Sequence, residues 1–256
     1  CCLTDRSICI VLDIFVHVAV DSFGKNCHSH VTISIKSYDV NIKRATESCR
    51  VLEECMDTSL ATHIRYRLYD IEQLLTALVL RNRIGRGFYV ISDSVSRLVE
   101  ASTHPHVRLI QYRHKAADKQ QIYQDCCELA DKLDRRSALW IVNDFVDIAI
   151  GCGADGVHTG QDDIPVSVIR KTLGPCKIIG RTTHSIEQGK IAVRDGADYV
   201  SVGPIWETPS KPGRPGIGFD YLSQAHDLST PFVAIGGINT KNISQITPYQ
   251  PPLVGI

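Results

Sequence analysis

GADGVHTG at residues 153–160 returns as GADYVSVG at residues 196–203. In each copy the Gly can end a helix, and the Ala-Asp turn can feed the short strand that follows. A short αβ turn placed twice, one βαβα step apart, is expected of a closed (β/α) barrel; an open doubly wound sheet is the alternative. Outward from this echo, the chain from Phe88 onward alternates brief apolar runs with segments of helical length. The runs are FYVIS, VRLIQYR, LWIVND, GVHTG, KIIGRTTH, YVSVGPI and PFVAIGG, and the segments include 119–133, 165–173, 186–195 and 221–227. Repeated βα units imply a parallel sheet. The predicted fold is therefore α/β, a (β/α)8 TIM barrel over residues 86–256. Residues 252–256 start an eighth strand that is expected to be incomplete, as in a C-terminally truncated domain.

Ahead of the barrel, Ile42, Ala45, Cys49, Leu52 and Met56 fall on one helical stripe, and Ile64, Leu68, Ile71, Leu75 and Leu78 on a second. Charged residues occupy the other faces, and Gly85 to Gly87 break the pattern, so residues 38–85 are predicted to be a helical hairpin. Residues 1–37 match no such pattern and are expected to be poorly ordered. Within them, Ile8 to Val20 is interrupted by Asp13 and His17 and is shorter than the ~20 residues of a membrane span. It also lacks the basic flank and small-residue cleavage site of a signal peptide.

With 256 residues and 43% hydrophobic content, the chain can bury a full core. Lys plus Arg equals Asp plus Glu at 28 each, so no global field favours nucleic acid or an anionic membrane. The ten cysteines show no framework spacing, and reduced thiols in a cytoplasmic protein are the expected state. Cys27, His28 and His30 lack the second ligand cluster that a tetrahedral metal site needs, and read as a polar loop.

The strand candidates end in polar residues, which is how a barrel builds one site from many loops. In QYRHK at 111–115, alternation sends Gln111, Arg113 and Lys115 to one side, the barrel mouth; the competing reading is an internal ion pair with Asp93 or Asp144. Asn143 and Asp144 end one strand, and Asp162 and Asp163 follow another. Carboxylates from two strand ends can share a hard cation that keeps several waters, whereas either Asp162 or Asp163 can instead cap the helix near Pro165. ETPSKPGRPGIG at 207–218 is a loop of lid size, with Thr208, Ser210 and Lys211 offering hydroxyls and a point charge. Gly236-Gly237 lets backbone N–H groups approach an anion. His158 and His184 are read as hydrogen-bonded core residues. The set contains no visible pair of nucleophile and base and suits departure of a diphosphate.

Taken in order, QYRHK, IVNDFVDIAI, GADGVHTGQDDIP, IIGRTTH, DYVSVGPIWETPSK and VAIGGI make residues 87–256 resemble the thiamine-phosphate synthase family. NIKRATESCRVLEE and RYRLYDIEQ resemble the helical extension of its cyanobacterial type. The resemblance implies a TIM barrel that joins 4-amino-5-hydroxymethyl-2-methylpyrimidine diphosphate to a thiazole phosphate, the pyrimidine–diphosphate bond breaking first. It implies that Gln111, Arg113 and Lys115 bind the pyrimidine diphosphate with Asn143 beside them, and that Asp144 and Asp163 hold Mg²⁺. Thr182, where the family usually has Ser, would donate to the diphosphate. Thr208, Ser210 and Lys211 would serve the thiazole and diphosphate side, Lys211 stabilising the departing charge, and Gly237 would give its N–H to the thiazole phosphate.

The expected partners are these two small molecules, with homo-oligomerisation allowed and neither nucleic acid nor membrane. Two other readings stand beside this one. A thiazole tautomerase of the same fold needs no GQDD beside ND, so Asp144 together with Asp163 favours the synthase. A barrel that binds phosphate ligands without turnover follows if strand 8 is missing.

Overall fold

The structure is a computed structural model that describes residues 30–56, 59–208 and 215–256. Two compact units divide between Val79 and Leu80. The first is built from helix α1 (His30–Met56) and from helix α2 (Ser59–Asn82) as far as Val79. α1 starts at His30, before the predicted hairpin does. Ile42, Cys49 and Leu68 form its buried cluster, joined by Ala45, Ile64, Ile71 and Leu75. Leu52, assigned to the same stripe, is 46% exposed. At that level Glu53 meets α2 instead, through an ion pair with Arg65 at 3.0 Å.

The second unit alternates strands and helices: β1 (Gly87–Ser92), α3 (Val95–Ser102), β2 (Val107–Tyr112), α4 (Lys119–Lys132), β3 (Leu139–Asn143) and α5 (Val146–Gly151). There follow β4 (Gly156–Thr159), α6 (Val166–Leu173), β5 (Ile178–Thr183), α7 (Ile186–Arg194), β6 (Tyr199–Val202), α8 (Asp220–Gln224), β7 (Phe232–Ala234) and β8 (Leu253–Gly255). α8 runs on into a 3-10 turn, and two further 3-10 turns, Ile243–Gln245 and Thr247–Tyr249, link β7 to β8. Each strand pairs in parallel with the next, and β8 pairs with β1, which closes the barrel.

The eighth strand expected to be incomplete is thus a paired strand. Its three residues suffice because Ile256 continues the ladder: its N–H donates to the Tyr89 carbonyl at 3.0 Å and its carbonyl accepts from Ile91 at 2.9 Å. Inward-facing Tyr89, Leu109, Leu139, Ile141, Ile178, Tyr199, Val233 and Leu253 fill the interior with Ile84. The alternate residues, such as Ile110, Trp140, Val142, Val157, Ile179, Val200 and Phe232, pack against the helices. Period-two alternation with core on both faces is why these strands read as nearly continuous apolar runs.

The GAD echo has a physical cause. Gly153 and Gly196 sit at φ 71 and 101, in the region that ends helices. Asp155 accepts the Trp140 N–H on its carboxylate at 2.9 Å and returns its own N–H to the Trp140 carbonyl at 2.9 Å. Asp198 does the same with Ile179, at 2.8 Å in both directions. Each Asp therefore sets the register of its strand against the preceding one. Asp198, its side chain 4% exposed, also meets Arg81 at 2.6 Å and Arg170 at 2.5 Å. Among the described residues no helix is long and apolar enough to cross a membrane.

Candidate active site

The carboxyl ends of the strands surround one cavity of about 860 Å³. Gln111 at the end of β2, and Arg113 and Lys115 just beyond it, all line this cavity, as their alternation predicts. Arg113 is half-buried and has no ion pair among the described residues, whereas Lys115 Nζ lies 2.8 Å from Asp144 Oδ2. The competing ion-pair reading therefore holds for Lys115 and fails for Arg113. A half-buried guanidinium without a counter-charge favours an anionic ligand.

Asn143 and Asp144 also line the cavity. Asp144 adopts φ 63, an uncommon left-handed conformation that Asp tolerates, and its N–H donates to the His158 carbonyl at 2.9 Å. Across the mouth, Asp162 and Asp163 reach the same cavity. The capping alternative fails: α6 has Pro165 at its N-cap and no side-chain cap bond. Asp163 Oδ2 instead accepts the Gly160 N–H at 2.6 Å, which shapes the turn after β4.

Among the described residues no three His, Cys, Asp or Glu side chains cluster as a metal site. Asp144 and Asp163 each commit Oδ2 to a protein donor, and among the described residues no hydrogen bond or ion pair engages Oδ1 of either. Two monodentate carboxylates fit a hard divalent cation such as Mg²⁺, which keeps several waters and takes further oxygens from a substrate.

Thr182 on β5 lines the cavity, with His158 Nε2 3.0 Å from its Oγ1. A histidine–hydroxyl contact that the sequence did not reveal is therefore present. The other ring nitrogen meets the Tyr199 hydroxyl at 3.0 Å rather than a carboxylate, so the orienting acid of a nucleophilic triad is absent from this row. His158 is the hydrogen-bonded core histidine that its position suggested. His184 likewise bonds through Nδ1 to the Gly203 carbonyl. Next to Thr182, Arg181 points away from the interior and is held by Thr159, Gln161 and Ile164. Burial pushes its pKa down, while the nearby carboxylates of Asp163 and Asp162 oppose that shift.

Thr208, Gly236, Gly237 and Ile238 complete the opposite wall. Gly236 and Gly237 take φ 99 and 70. A Cβ on Gly237 would come 2.8 Å from Trp206 Cβ, so the missing side chain also admits the loop after β6. The N–H groups of Gly236, Gly237 and Ile238 have no hydrogen-bond acceptor among the described residues, which suits them to an anion. Ser210 and Lys211 lie outside the described residues.

Sequence reasoning missed Tyr89 and Tyr199, read as ordinary strand residues. Both are buried inside the barrel, their hydroxyls 2.8 Å apart, and burial raises the pKa of each. Strand parity could have found them, since Tyr89 shares the inward face with Ile91 and Tyr199 with Ser201. It also missed Arg97, exposed on the first turn of α3 and lining the cavity, where no strand-end motif announces it.

The family model for thiamine monophosphate synthase matches residues 87–250. The chain is similar to thiamine-phosphate synthase of Thermosynechococcus vestitus, 41% identical over 220 residues, covering 80% of this chain and 63% of the relative. The Synechocystis sp. thiamine-phosphate synthase is 38% identical over 217 residues, covering 80% and 63%. The chain thus spans somewhat less than two thirds of the length of these relatives. Among solved structures it is similar to a thiamine phosphate pyrophosphorylase from Pyrococcus furiosus, with TM-score 0.61 and 31% identity, covering 69% of this chain and 87% of that one.

Proposed function

Because the chain belongs to the thiamine monophosphate synthase family, we propose that it joins 4-amino-5-hydroxymethyl-2-methylpyrimidine diphosphate to a thiazole phosphate, giving thiamine phosphate and diphosphate. The observation that carries this reading is the convergence of Arg113, Lys115, Thr182, Asp144 and Asp163 on one cavity. Cations, a hydroxyl and a carboxylate pair from separate strands are what a departing diphosphate needs.

Arg113 and Lys115 bind the diphosphate, while Gln111 and Asn143 orient the pyrimidine. The bond from the pyrimidine methylene carbon to diphosphate oxygen breaks with its electron pair leaving on the oxygen. The ring amino group stabilises the cation that remains, and the thiazole nitrogen lone pair then forms the new C–N bond. Neither step removes a proton, so no general base is required. Thr182 donates its hydroxyl to the leaving diphosphate. Thr208, Ser210 and Lys211 would serve the thiazole and diphosphate side, Lys211 offsetting the growing charge, and the Gly237 N–H would hold the thiazole phosphate. Asp144 and Asp163 would hold Mg²⁺, which when bound offsets negative charge on the diphosphate. The cytoplasm is the proposed compartment, since the cysteine positions give no disulfide framework.

The full chain, supplied with both substrates and Mg²⁺, is expected to form thiamine phosphate, measured by chromatography. Asp163→Ala and Lys211→Ala should each lower the rate by about a hundredfold or more. Full activity in excess chelator refutes the metal assignment. Isomerisation of a thiazole carboxylate phosphate without use of the diphosphate would instead identify a tautomerase, and ligand binding without turnover a binding barrel.

A further inference from the structure

Five side chains form one unbroken hydrogen-bonded row through the inside of the barrel. Gln111 Nε2 lies 2.7 Å from the Tyr89 hydroxyl, which lies 2.8 Å from the Tyr199 hydroxyl. Tyr199 is 3.0 Å from His158 Nδ1, and His158 Nε2 is 3.0 Å from Thr182 Oγ1. Gln111 and Thr182, at the two ends, line the cavity, while the tyrosines between them are 0% exposed. The link from Tyr199 to His158 exists because residue 180 is Gly: a Cβ there would stand 2.4 Å from the phenol oxygen and 2.5 Å from Nδ1.

Resting on the function proposed above, we infer that this row is polarised in one direction. It acts as a positioning device that presents Gln111 Oε1 to the substrate as an acceptor and the Thr182 hydroxyl as a donor. The direction follows from the amide orientation, Nε2 toward the Tyr89 hydroxyl, together with what each other group can do. An amide nitrogen only donates, so Tyr89 accepts from Gln111 and passes its own proton to Tyr199. Tyr199 must then donate to His158, which requires a bare Nδ1. The imidazole is therefore neutral with its proton on Nε2, and it donates to Thr182. Having accepted there, Thr182 is free to turn its own proton toward the cavity.

The alternatives present different groups to the cavity. With the amide turned round, every bond reverses, Gln111 offers NH₂ to the cavity, and the Thr182 proton is consumed by His158. With Gln111 Nε2 held on Tyr89, an imidazolium donates to both neighbours and leaves the Tyr89 proton without an acceptor in the row. Burial raises the pKa of both phenols, so both stay protonated and able to relay this order. The two ends then match two poles of one substrate. An acceptor suits the exocyclic amino group of an aminopyrimidine, and a hydroxyl donor suits a diphosphate oxygen. A 4-oxo pyrimidine would set two acceptors against each other and should bind roughly tenfold to a hundredfold more weakly.

The test is nitrogen-15 NMR of the histidine rings in the full chain near neutral pH, with the His158 signals identified by their loss in His158→Gln. The expected result is a protonated Nε2 and a bare Nδ1; a proton on Nδ1, or on both nitrogens, overturns the inference. Tyr199→Phe interrupts the row and should abolish the single tautomer. It should also raise KM for the pyrimidine diphosphate about tenfold while KM for the thiazole phosphate holds. An unchanged tautomer and unchanged KM in a folded Tyr199→Phe protein would equally sink it, and the wild-type spectrum decides the matter if that variant does not fold. Should the Nε2 proton be found with no thiamine phosphate formed, the polarised row stands and the proposed reaction falls. Product formation with an Nδ1 proton means the reverse.

Discussion

Lys115 Nζ stands 2.8 Å from Asp144 Oδ2, tying the loop after β2 to the end of β3. The side chains are 59% and 23% exposed, so solvent screens the pair and it contributes about 1 kcal/mol or less. A divalent cation at Asp144 must share or displace that ammonium.

Lys115→Gln should therefore tighten Mg²⁺ binding to the substrate-free chain by up to about fivefold, and at the same time weaken diphosphate binding. Calorimetric titration with each ligand separates the two effects. Equal weakening of both would show that Lys115 and the cation do not compete.

Asp163 has two duties that two substitutions distinguish. Asp163→Asn keeps an oxygen for the Gly160 N–H and should leave the melting temperature within a few degrees of wild type, yet lose Mg²⁺-dependent turnover. Asp163→Ala removes both and should also destabilise by about 1 kcal/mol, because the Gly160 N–H loses its acceptor. Melting curves beside initial rates check the pair.

Asp198 joins Arg81, Arg170 and the Ile179 N–H on one nearly buried carboxylate. Asp198→Ala leaves two guanidinium groups without it and should cost about 3–5 kcal/mol, seen as a lower urea midpoint. A loss below about 1 kcal/mol would mean that water replaces the carboxylate.

Tyr89 and Tyr199 have folded-state pKa values raised by burial above the ordinary phenol value of 10.0. The unfolded chain releases these protons first as pH climbs past that value. Stability is accordingly whole below about pH 10 and falls above it, by about 1.4 kcal/mol per pH unit for each phenol. Spectrophotometric titration should show these two tyrosines ionising only together with unfolding; ionisation ahead of any structural change would contradict the burial.

The barrel was legible because each of its local choices agrees with the global one: glycines at left-handed positions, Asp at the strand entries and β-branched runs between them. The strand-end residues were legible too, since alternation alone sends Gln111, Arg113 and Lys115 to one mouth. For Tyr89 and Tyr199 parity marks only the inward face; nothing in FYVIS or YVSVG shows which aromatic meets which across the barrel. Strand 8 looked like a fragment because its pairing partner, β1, lies far back in the sequence.

That distance shapes how the molecule comes to be. Gly87 pairs with Leu253, so the seam joins the first and last strands of the barrel, and every other strand has emerged from the ribosome before it can shut. Until then β1 and β7 are open edges able to pair with other chains, and the interior is wet. Such a long-range contact must wait for the whole chain between its partners and is formed late. The growing chain is thus most vulnerable to aggregation just before its synthesis reaches Leu253, which makes strand 8 a checkpoint of biogenesis as well as a wall of the cavity.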